Sequence, residues 1–383
     1  MKKIALLGST GSIGKQTLEV VDRYPDKFKI TALAANGNYA DLENQIWRYK
    51  PDIAVLSNPE HANKITSLPK ETSFYYGENA LLHAAAADAD LVFVAVTGFS
   101  GLKAVVCAIE NGKDVAIANK ESLVAGGDLV TRLAKEKGVR LIPVDSEHSA
   151  IWQALDFDVN KQFEKLIITA SGGAFRDYDL QSLKTVTAKE ALMHPNWKMG
   201  AKITVDCATM VNKGFEVAEA KWLFNTEIDK IDVVIHRESI IHSMVRFHDG
   251  AVLAQMGIPD MKVPISLALT YPERLDVGVK PLDFCNLNLT FSQPDFERYP
   301  CFPLVIEAIR AGKNYPCALS AANEVAVNLF LNGDIKYTEI YDYLRQSLDE
   351  TKETATDLEA LNYTDKLARS RAIGRFKANL TNN

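Results

Sequence analysis

The sequence predicts an α/β protein with an N-terminal doubly wound parallel sheet, a central α+β domain and a C-terminal helical domain. Three observations lead to this fold class. Short β-branched runs alternate with helical patterns at the start of the chain, strand-like alternation follows, and helical periods fill the end. A length of 383 residues suits two or three domains at about 150 residues each.

Residues 1–145 are predicted to form the first domain. Its candidate strands are apolar runs that each lead into a helical pattern, as in βαβ units. These strands cover residues 3–7, 29–34, 53–56, 91–96, 114–117 and 140–144, with helices over 13–21, 42–49, 102–110 and 129–136. Six strands in this alternation predict a Rossmann-like sheet.

Residues 146–270 are predicted to form a catalytic and connective domain, because longer alternating stretches replace the βαβ pattern. Its candidate strands are 165–170, 203–206, 232–236 and 251–256. A proline-rich segment, 271–303, is predicted to be a linker. The helical domain, 304–383, carries helical periods over 318–331, 337–348 and 358–376, with Asn332-Gly333 as a stop after the first.

Composition limits the partners and the compartment. A formal net charge of −6 leaves no broad positive field for nucleic acid or an anionic membrane, so a phosphorylated ligand needs a local basic pocket. The five cysteines include no C-x-x-C pair, which favours a reducing compartment. The apolar run at the N-terminus is too short for the apolar region of a signal peptide. No apolar run in the sequence approaches the roughly 18 residues of a membrane span. We expect a cytoplasmic protein.

A glycine-rich turn follows the first predicted strand. It reads Gly8-Ser9-Thr10-Gly11-Ser12-Ile13-Gly14 and opens a helix, an arrangement that suits a dinucleotide pyrophosphate. The spacing departs from G-x-G-x-x-G, and alone it fits plain strand-to-helix packing equally well. After the second strand, Asn36-Gly37-Asn38 stands where an NAD site carries an acid. This favours NADP, although no Arg or Lys is there, and the turn also fits an ordinary loop.

Three acids suggest a hard divalent cation. Asp145-Ser146-Glu147 ends the sixth predicted strand, where residues i and i+2 of an extended chain face the same side. Glu216 lies near a predicted helix start. Carboxylates without suitable His or Cys spacing favour Mg²⁺ or Mn²⁺ over zinc. The alternative is a solvated strand end.

Two segments suggest an anion site and a lid. Ser171-Gly172-Gly173 fits an anion-binding turn or a hairpin corner. His194-Pro195-Asn196-Trp197-Lys198-Met199-Gly200, expected between two strands, fits a lid over 171–201 or a capped turn.

Together these motifs closely resemble the 1-deoxy-D-xylulose 5-phosphate reductoisomerase family, in register from the first strand to the helical tail. The resemblance also rests on Ala118-Asn119-Lys120-Glu121-Ser122, Val144-Asp145-Ser146-Glu147-His148-Ser149 and Asn212-Lys213-Gly214-Phe215-Glu216. It implies NADPH-dependent conversion of the deoxyxylulose phosphate to 2-C-methyl-D-erythritol 4-phosphate in the non-mevalonate isoprenoid pathway. It also implies a homodimer and a divalent cation, Mn²⁺, Mg²⁺ or Co²⁺.

The resemblance also implies a role for each residue. Asp145, Glu147 and Glu216 would bind the metal and contact the substrate through it. The implied catalytic residues are Lys120, Glu147, His194 and Trp197. Lys120 would contact a substrate hydroxyl, and Ser146 and Asn212 would orient the sugar. The phosphate would be bound by Ser171, His194, Asn212 and Lys213, under a lid that includes Trp197. The implied cofactor contacts are Thr10, Gly11, Ser12, Ile13, Asn36, Gly37, Asn38, Asn119, Glu121 and Gly200.

Two positions depart from the family pattern. Cys207 stands where a serine is expected to contact the phosphate, and a thiol is a weak donor, so about 1 kcal/mol of binding would be lost. The turn Asn36-Gly37-Asn38 lacks the basic residue of some relatives.

Two other functions remain open from the residues alone. A simple NADP-dependent dehydrogenase of the semialdehyde or homoserine type predicts activity in the presence of a chelator. A non-enzymatic NADPH sensor predicts that Glu216→Gln leaves function intact.

Overall fold

The computed structural model describes residues 1–285 and 287–382. The chain forms two compact units. The first contains Met1–Ser122, Val130–Ser149 and Asp260–Lys280. The second contains Leu123–Leu129, Ala150–Pro259 and the described residues after Lys280.

Two sheets organise the chain. The strands are β1 (Lys2–Leu7), β2 (Phe28–Ala35), β3 (Ile53–Leu56), β4 (Ser73–Tyr76), β5 (Leu91–Val94), β6 (Asp114–Ile117), β7 (Leu141–Pro143), β8 (Lys165–Ala170), β9 (Ile231–Ile235), β10 (Ile241–Arg246) and β11 (Val252–Met256). The first unit holds a seven-stranded sheet of order β4-β3-β2-β1-β5-β6-β7, and the second holds a four-stranded sheet of order β11-β10-β8-β9.

The helices are α1 (Ser12–Arg23), α2 (Tyr39–Tyr49), α3 (Ala80–Ala85), α4 (Ser100–Glu110), α5 (Lys120–Lys137), α6 (Ser146–Ala154), α7 (Ala188–Ala191), α8 (Ala201–Thr209), α9 (Val211–Leu223), α10 (Lys262–Thr270), α11 (Cys301–Ala311), α12 (Tyr315–Asn332), α13 (Glu339–Glu350) and α14 (Leu358–Asn382). Short 3-10 turns cover Pro59–Lys64, Ser182–Lys184 and Ile228–Lys230. Within the described residues, no helix is both long and apolar enough to cross a membrane.

The sheet of the first unit is parallel throughout. Strands of such a sheet are covered on both faces, which is why β5 reads as a continuous apolar run and is buried at every position. Each fully buried side chain of this kind, such as Phe93, contributes about 1.5–3 kcal/mol. The strand order reverses between β1 and β5, so the crevice beyond their carboxyl ends is the expected ligand position.

The second unit combines a mixed sheet with helices. Strand β10 pairs antiparallel with β8 and β11, whereas β8 and β9 are parallel. Helix α12 ends at Asn332, and Gly333 adopts φ +81° as its C-cap, so the stop predicted from Asn332-Gly333 is confirmed.

All six strands predicted for the N-terminal sheet are present, and so are those over 165–170, 232–236 and 251–256. The strand predicted over 203–206 is wrong, because these residues lie inside α8. Strands β4 and β10 were not predicted. Helix α11 begins at Cys301, inside the segment predicted to be a linker.

Candidate active site

The glycine-rich turn between β1 and α1 leaves no room for side chains at two positions. A Cβ on Gly8, whose φ is +92°, would lie 2.4 Å from the Ala95 carbonyl oxygen, and a Cβ on Gly14 would lie 2.2 Å from that of Gly8. The first turn of α1 contains no acid, and Gly11 at its N-cap makes no side-chain cap. The backbone N–H groups there fit a pyrophosphate.

The turn after β2 is tied to the start of α2. The Asn38 side chain accepts from the Asp41 backbone N–H at 3.2 Å. Lys15 of α1 lies 2.6 Å from the Asp41 carboxylate, and hydrogen bonding from this lysine is the main cause that lowers the pKa of Asp41. The sequence around the turn shows no Lys or Arg, but the fold brings Lys15 to it.

Asn119 determines how α5 begins. Its side-chain oxygen accepts from the Ser122 N–H at 2.9 Å, and its amide donates to the Val96 carbonyl at 2.9 Å and to the Glu121 carboxylate at 2.8 Å. The side chains of Asn119, Glu121 and Ser122 are all buried. This network fixes Lys120 at the first position of the helix.

Lys120 forms an ion pair with Asp145, and the two side chains are only 11% and 18% exposed. The Ser146 hydroxyl donates to the Glu147 carboxylate at 2.5 Å. The expected extended geometry of Asp145-Ser146-Glu147 is wrong, because α6 begins at Ser146 and Glu147 lies in its first turn. The buried His148 ring, with Nδ1 3.8 Å from the Asp145 carboxylate, was not predicted as part of the site.

In the second unit, the predicted helix start at Asn212 is confirmed, since it lies in the first turn of α9. The i, i+3 and i, i+4 spacings place Lys213 and Asn212 beside Glu216, which is 1% exposed. The Asn212 amide donates to Glu216 at 2.6 Å, and Lys213 forms an ion pair with the same carboxylate.

One buried atom of this cluster points to a ligand. The Asn212 side-chain oxygen is buried and has no hydrogen-bond partner among the described residues. A buried acceptor left without a donor costs about 1–3 kcal/mol. A substrate hydroxyl would satisfy it.

The structure brings Ser171 and His194 together. His194 Nε2 lies 2.9 Å from the Ser171 hydroxyl, and Nδ1 accepts from the backbone N–H groups of Asn196 and Trp197 at 3.2 and 3.0 Å. A neutral ring with this acceptor must therefore carry its proton on Nε2. Burial, followed by the charge of Arg176, lowers the pKa of His194 to about 4.

The Cys207 backbone packs against the turn Ser171-Gly172-Gly173. A Cβ on Gly173, whose φ is +71°, would lie 2.5 Å from the Cys207 carbonyl oxygen.

Arg176, which the sequence did not single out, donates to the Ser171 carbonyl at 2.9 Å. Only the return of the chain around Gly172 and Gly173 places this arginine there.

The segment His194–Gly200 connects helices α7 and α8. The expectation that it lies between two strands is wrong, because residues 203–206 are helical. Its Asn196 amide donates to the Arg237 carbonyl and to the Ser239 hydroxyl, both at 2.7 Å, and the Trp197 ring centroid lies 6.0 Å from that of His242. Gly200 is the exposed N-cap of α8.

Comparisons with known proteins agree on one family. Three family models match the chain: 1-deoxy-D-xylulose 5-phosphate reductoisomerase over residues 4–127, its C-terminal domain over 141–224, and the DXP reductoisomerase C-terminal domain over 256–371. The 1-deoxy-D-xylulose 5-phosphate reductoisomerase of Geotalea uraniireducens is 49% identical over 353 residues, which cover 91% of this chain and 92% of that protein.

Solved structures of 1-deoxy-D-xylulose 5-phosphate reductoisomerases also match the chain. The reductoisomerase from Zymomonas mobilis in complex with NADPH matches with a TM-score of 0.90 and 39% identity, over 98% of this chain and 99% of that one. A reductoisomerase in complex with NADPH, fosmidomycin and magnesium matches with a TM-score of 0.94 and 38% identity, over 98% of each chain.

These matches span nearly the whole chain, including both sheets and the helices that carry the predicted site residues. A simple dehydrogenase or a nucleotide sensor would share only the nucleotide-binding part. The chain therefore belongs to the 1-deoxy-D-xylulose 5-phosphate reductoisomerase family and is an NADP-dependent oxidoreductase that, with a divalent cation, converts 1-deoxy-D-xylulose 5-phosphate to 2-C-methyl-D-erythritol 4-phosphate.

Proposed function

We propose that Asp145, Glu147 and Glu216 hold the divalent cation of this reaction. The donor set fits, because carboxylate oxygens are the ligands that Mg²⁺ and Mn²⁺ prefer. When bound, the cation would supply Lewis acidity at adjacent substrate oxygens. Asp145 pairs with Lys120 and Glu216 pairs with Lys213, so a lysine orients each of these two acids.

Lys120 and Ser146 act on the sugar backbone in this proposal. The Lys120 ammonium, held beside Asp145, would contact a substrate hydroxyl and keep its proton local. The Ser146 hydroxyl is held by Glu147. Asn212 offers another hydroxyl its buried side-chain oxygen, for which the described part of the chain supplies no partner.

The phosphate pocket combines Ser171, His194, Asn212 and Lys213. A neutral His194 can donate from Nε2, and Lys213 supplies one positive charge for a dianion.

We propose that residues 171–201 close over the bound substrate with Trp197 as a cover. We keep 1–145, 146–270 and 304–383 as the functional domains, joined by 271–303.

The cofactor would occupy the crevice at β1 and β5. Its pyrophosphate would bind the N–H groups of Thr10, Gly11, Ser12 and Ile13, and its ribose would reach Asn36, Gly37 and Asn38. The proposed cofactor contacts also include Asn119, Glu121 and Gly200. Because the Asn119 side chain is used in capping α5, its contribution is to position Lys120 and Glu121.

This proposal rests on two ion pairs, Asp145 with Lys120 and Glu216 with Lys213. A chelator experiment tests it. NADPH oxidation with 1-deoxy-D-xylulose 5-phosphate should stop in EDTA and return when Mn²⁺, Mg²⁺ or Co²⁺ is added in excess. The ratio of the restored rates identifies the preferred ion. A rate unchanged by EDTA would contradict the metal assignment.

We infer a homodimer that forms through β11. This strand is an edge of its sheet, and Val252 and Leu253 are 46% and 49% exposed. Open apolar edges favour pairing with a second strand. Leu253→Lys should shift the sedimenting species from dimer to monomer, whereas an unchanged mass would place the interface elsewhere.

We also place the enzyme in the cytoplasm. All five cysteines lie in the described residues as thiols, and burial raises the pKa of Cys301 to about 12. Buried thiols without disulfides are typical of a reducing compartment.

His194 should make the unliganded protein less stable in acid. Its folded-state pKa, about 4, is below the ordinary value of 6.5, so the unfolded chain binds more protons between these pH values. Stability from the neutral ring is present above pH 6.5 and is lost as the pH falls toward 4. Urea unfolding at several pH values should show a shallower loss for His194→Gln, and parallel curves would contradict this.

Cys207→Ser should bind substrate as tightly as the parent or more tightly. A hydroxyl is a stronger donor than a thiol, and one neutral hydrogen bond contributes about 1 kcal/mol, or roughly fivefold in affinity. KM for the sugar phosphate measures this. Clearly weaker binding would mean that the Cys207 side chain serves packing rather than the phosphate.

A further inference from the structure

Two segments of the candidate phosphate pocket meet at one backbone oxygen. The loop 236–240 connects β9 with β10. Its Arg237 carbonyl accepts from the Asn196 amide at 2.7 Å and from Arg176 Nη1 at 3.0 Å. Asn196 lies between α7 and α8, whereas Arg176 follows β8 and the turn Ser171-Gly172-Gly173, which we call the phosphate turn. The Arg237 carbonyl therefore joins two segments that are proposed to bind the phosphate together.

The loop presents this carbonyl from a fixed position, because it is folded around a buried histidine. His236 Nε2 accepts from the backbone N–H groups of Ile240 and Ile241 at 3.2 and 3.1 Å. Nδ1 lies 2.9 Å from the Thr290 carbonyl oxygen and 3.1 Å from the Glu238 carboxylate. A neutral ring with its proton on Nδ1 satisfies all these contacts. The His236 ring thus holds both ends of the loop.

Asn196 contacts the loop and the His194 ring at the same time. Its side-chain amide donates to the Arg237 carbonyl and to the Ser239 hydroxyl, both at 2.7 Å, so each amide hydrogen has an acceptor. Its backbone N–H donates to His194 Nδ1 at 3.2 Å. Ser239 adopts φ +53°, a left-handed conformation that is uncommon for residues other than glycine and persists where the surrounding structure holds it. Asn196 therefore connects the His194 ring with a rigid loop.

Arg176 makes the second connection, from the phosphate turn to the same loop. Its Nη1 atom carries two hydrogens and donates to the carbonyls of Ser171 at 2.9 Å and of Arg237 at 3.0 Å. Asp177 adds an ion pair with the Arg237 side chain and lies 3.6 Å from Arg176 Nε. The guanidinium therefore fixes the phosphate turn relative to the loop that binds Asn196.

We propose that Asn196 is a positioning residue that holds the segment His194–Gly200 on the loop 236–240 while the phosphate is bound, and that Arg176 ties this loop to the phosphate turn. The inference rests on the phosphate pocket and the lid proposed above. In the structure, Ser171 and His194 are hydrogen bonded to each other. A bound phosphate takes the donors of both side chains, so this contact no longer holds the segment. The side-chain contacts of Asn196 use no phosphate-binding atom, and they remain.

Substitutions of Asn196 test its contact with the loop. Asn196→Ala should raise KM for the sugar phosphate about tenfold, or about 1.4 kcal/mol, as expected for the loss of two neutral hydrogen bonds. Asn196→Asp keeps the side-chain volume but places a carboxylate oxygen against the Arg237 carbonyl, so KM should rise at least as much. Asn160→Ala is the control, because Asn160 is exposed on the loop before β8, and it should leave KM unchanged. A normal KM for Asn196→Asp would show that this side chain only fills space and would overturn the proposal.

Trypsin cleavage after Lys198 measures whether the segment is held, because Lys198 is exposed within it. Saturating inorganic phosphate should slow this cleavage in the parent and in Asn160→Ala but not in Asn196→Ala. Mass spectrometry of the peptide that ends at Lys198 gives the rates. Equal protection of the parent and of Asn196→Ala would overturn the proposal alone, whereas no protection of the parent would contradict the proposed lid and this inference with it.

A double-mutant cycle tests the link through Arg176. Arg176→Met should also raise KM, and the Tm of each variant shows that it is folded. Added to Asn196→Ala, the second substitution should raise KM by less than it does in the parent, because both side chains act through the Arg237 carbonyl. Independent effects would show that Arg176 holds the phosphate turn alone, and the proposed link between the turn and the loop would be wrong.

Discussion

Replacing Glu216 with Gln should lower turnover at least about a hundredfold, because even the loss of a group behind a metal ligand costs 10–100-fold. Glutamine keeps the size of the side chain and can still accept from the Asn212 amide, but it removes one anionic oxygen. The Kd of NADPH should stay the same, since Glu216 is not among the residues proposed to contact the cofactor. Turnover and fluorescence titration with NADPH measure the two effects.

Stability must be followed in the same experiment. Glu216 is the counter-ion of the buried Lys213, and removing one partner of a buried pair costs about 3–5 kcal/mol. Assays should therefore be run well below the Tm of the variant. Glu164→Gln is the control, because it only breaks an ion pair with Arg246 on partly exposed side chains. Near-normal turnover of a folded Glu216→Gln protein would refute the metal assignment.

The parallel sheet could be predicted from the sequence because its strands are buried on both faces. Strand β5 has four consecutive apolar residues with helical patterns on either side, so length and flanks suffice. Strand β4 escaped prediction because it lies at the sheet edge and consists of exposed or half-buried aromatic and polar residues. Such short edge strands carry no apolar run.

The error at 203–206 has a different physical cause. Ile203 to Asp206 alternate like a strand, yet they belong to α8, which starts at the Gly200 N-cap and buries Thr204 and Val205. Four residues cannot distinguish a period of 2 from a period of 3.6. A longer window that included Ala208 and Thr209 would have favoured the helix.

The site shows a similar limit. The grouping of Asn212, Lys213 and Glu216 follows from local spacing along α9. The pair of Lys120 with Asp145 and the pair of Ser171 with His194 depend on the return of distant segments, and no periodicity encodes that. Arg176 was missed for the same reason, since only the fold brings it to the Ser171 carbonyl.

Replacing Lys213 with Met should separate its two functions, one toward the phosphate and one toward Glu216. Loss of a charge-assisted contact should raise KM for the sugar phosphate about 10–100-fold, and kcat should fall as well if phosphate binding energy drives closure. The buried Glu216 would also lose its counter-ion and lower the Tm, by less when Mg²⁺ is present to neutralise the carboxylate. Lys221→Met, on the same helix, should change neither KM nor Tm appreciably. A lowered Tm with an unchanged KM would show that Lys213 serves only to hold Glu216, and the phosphate would then depend on neutral donors alone.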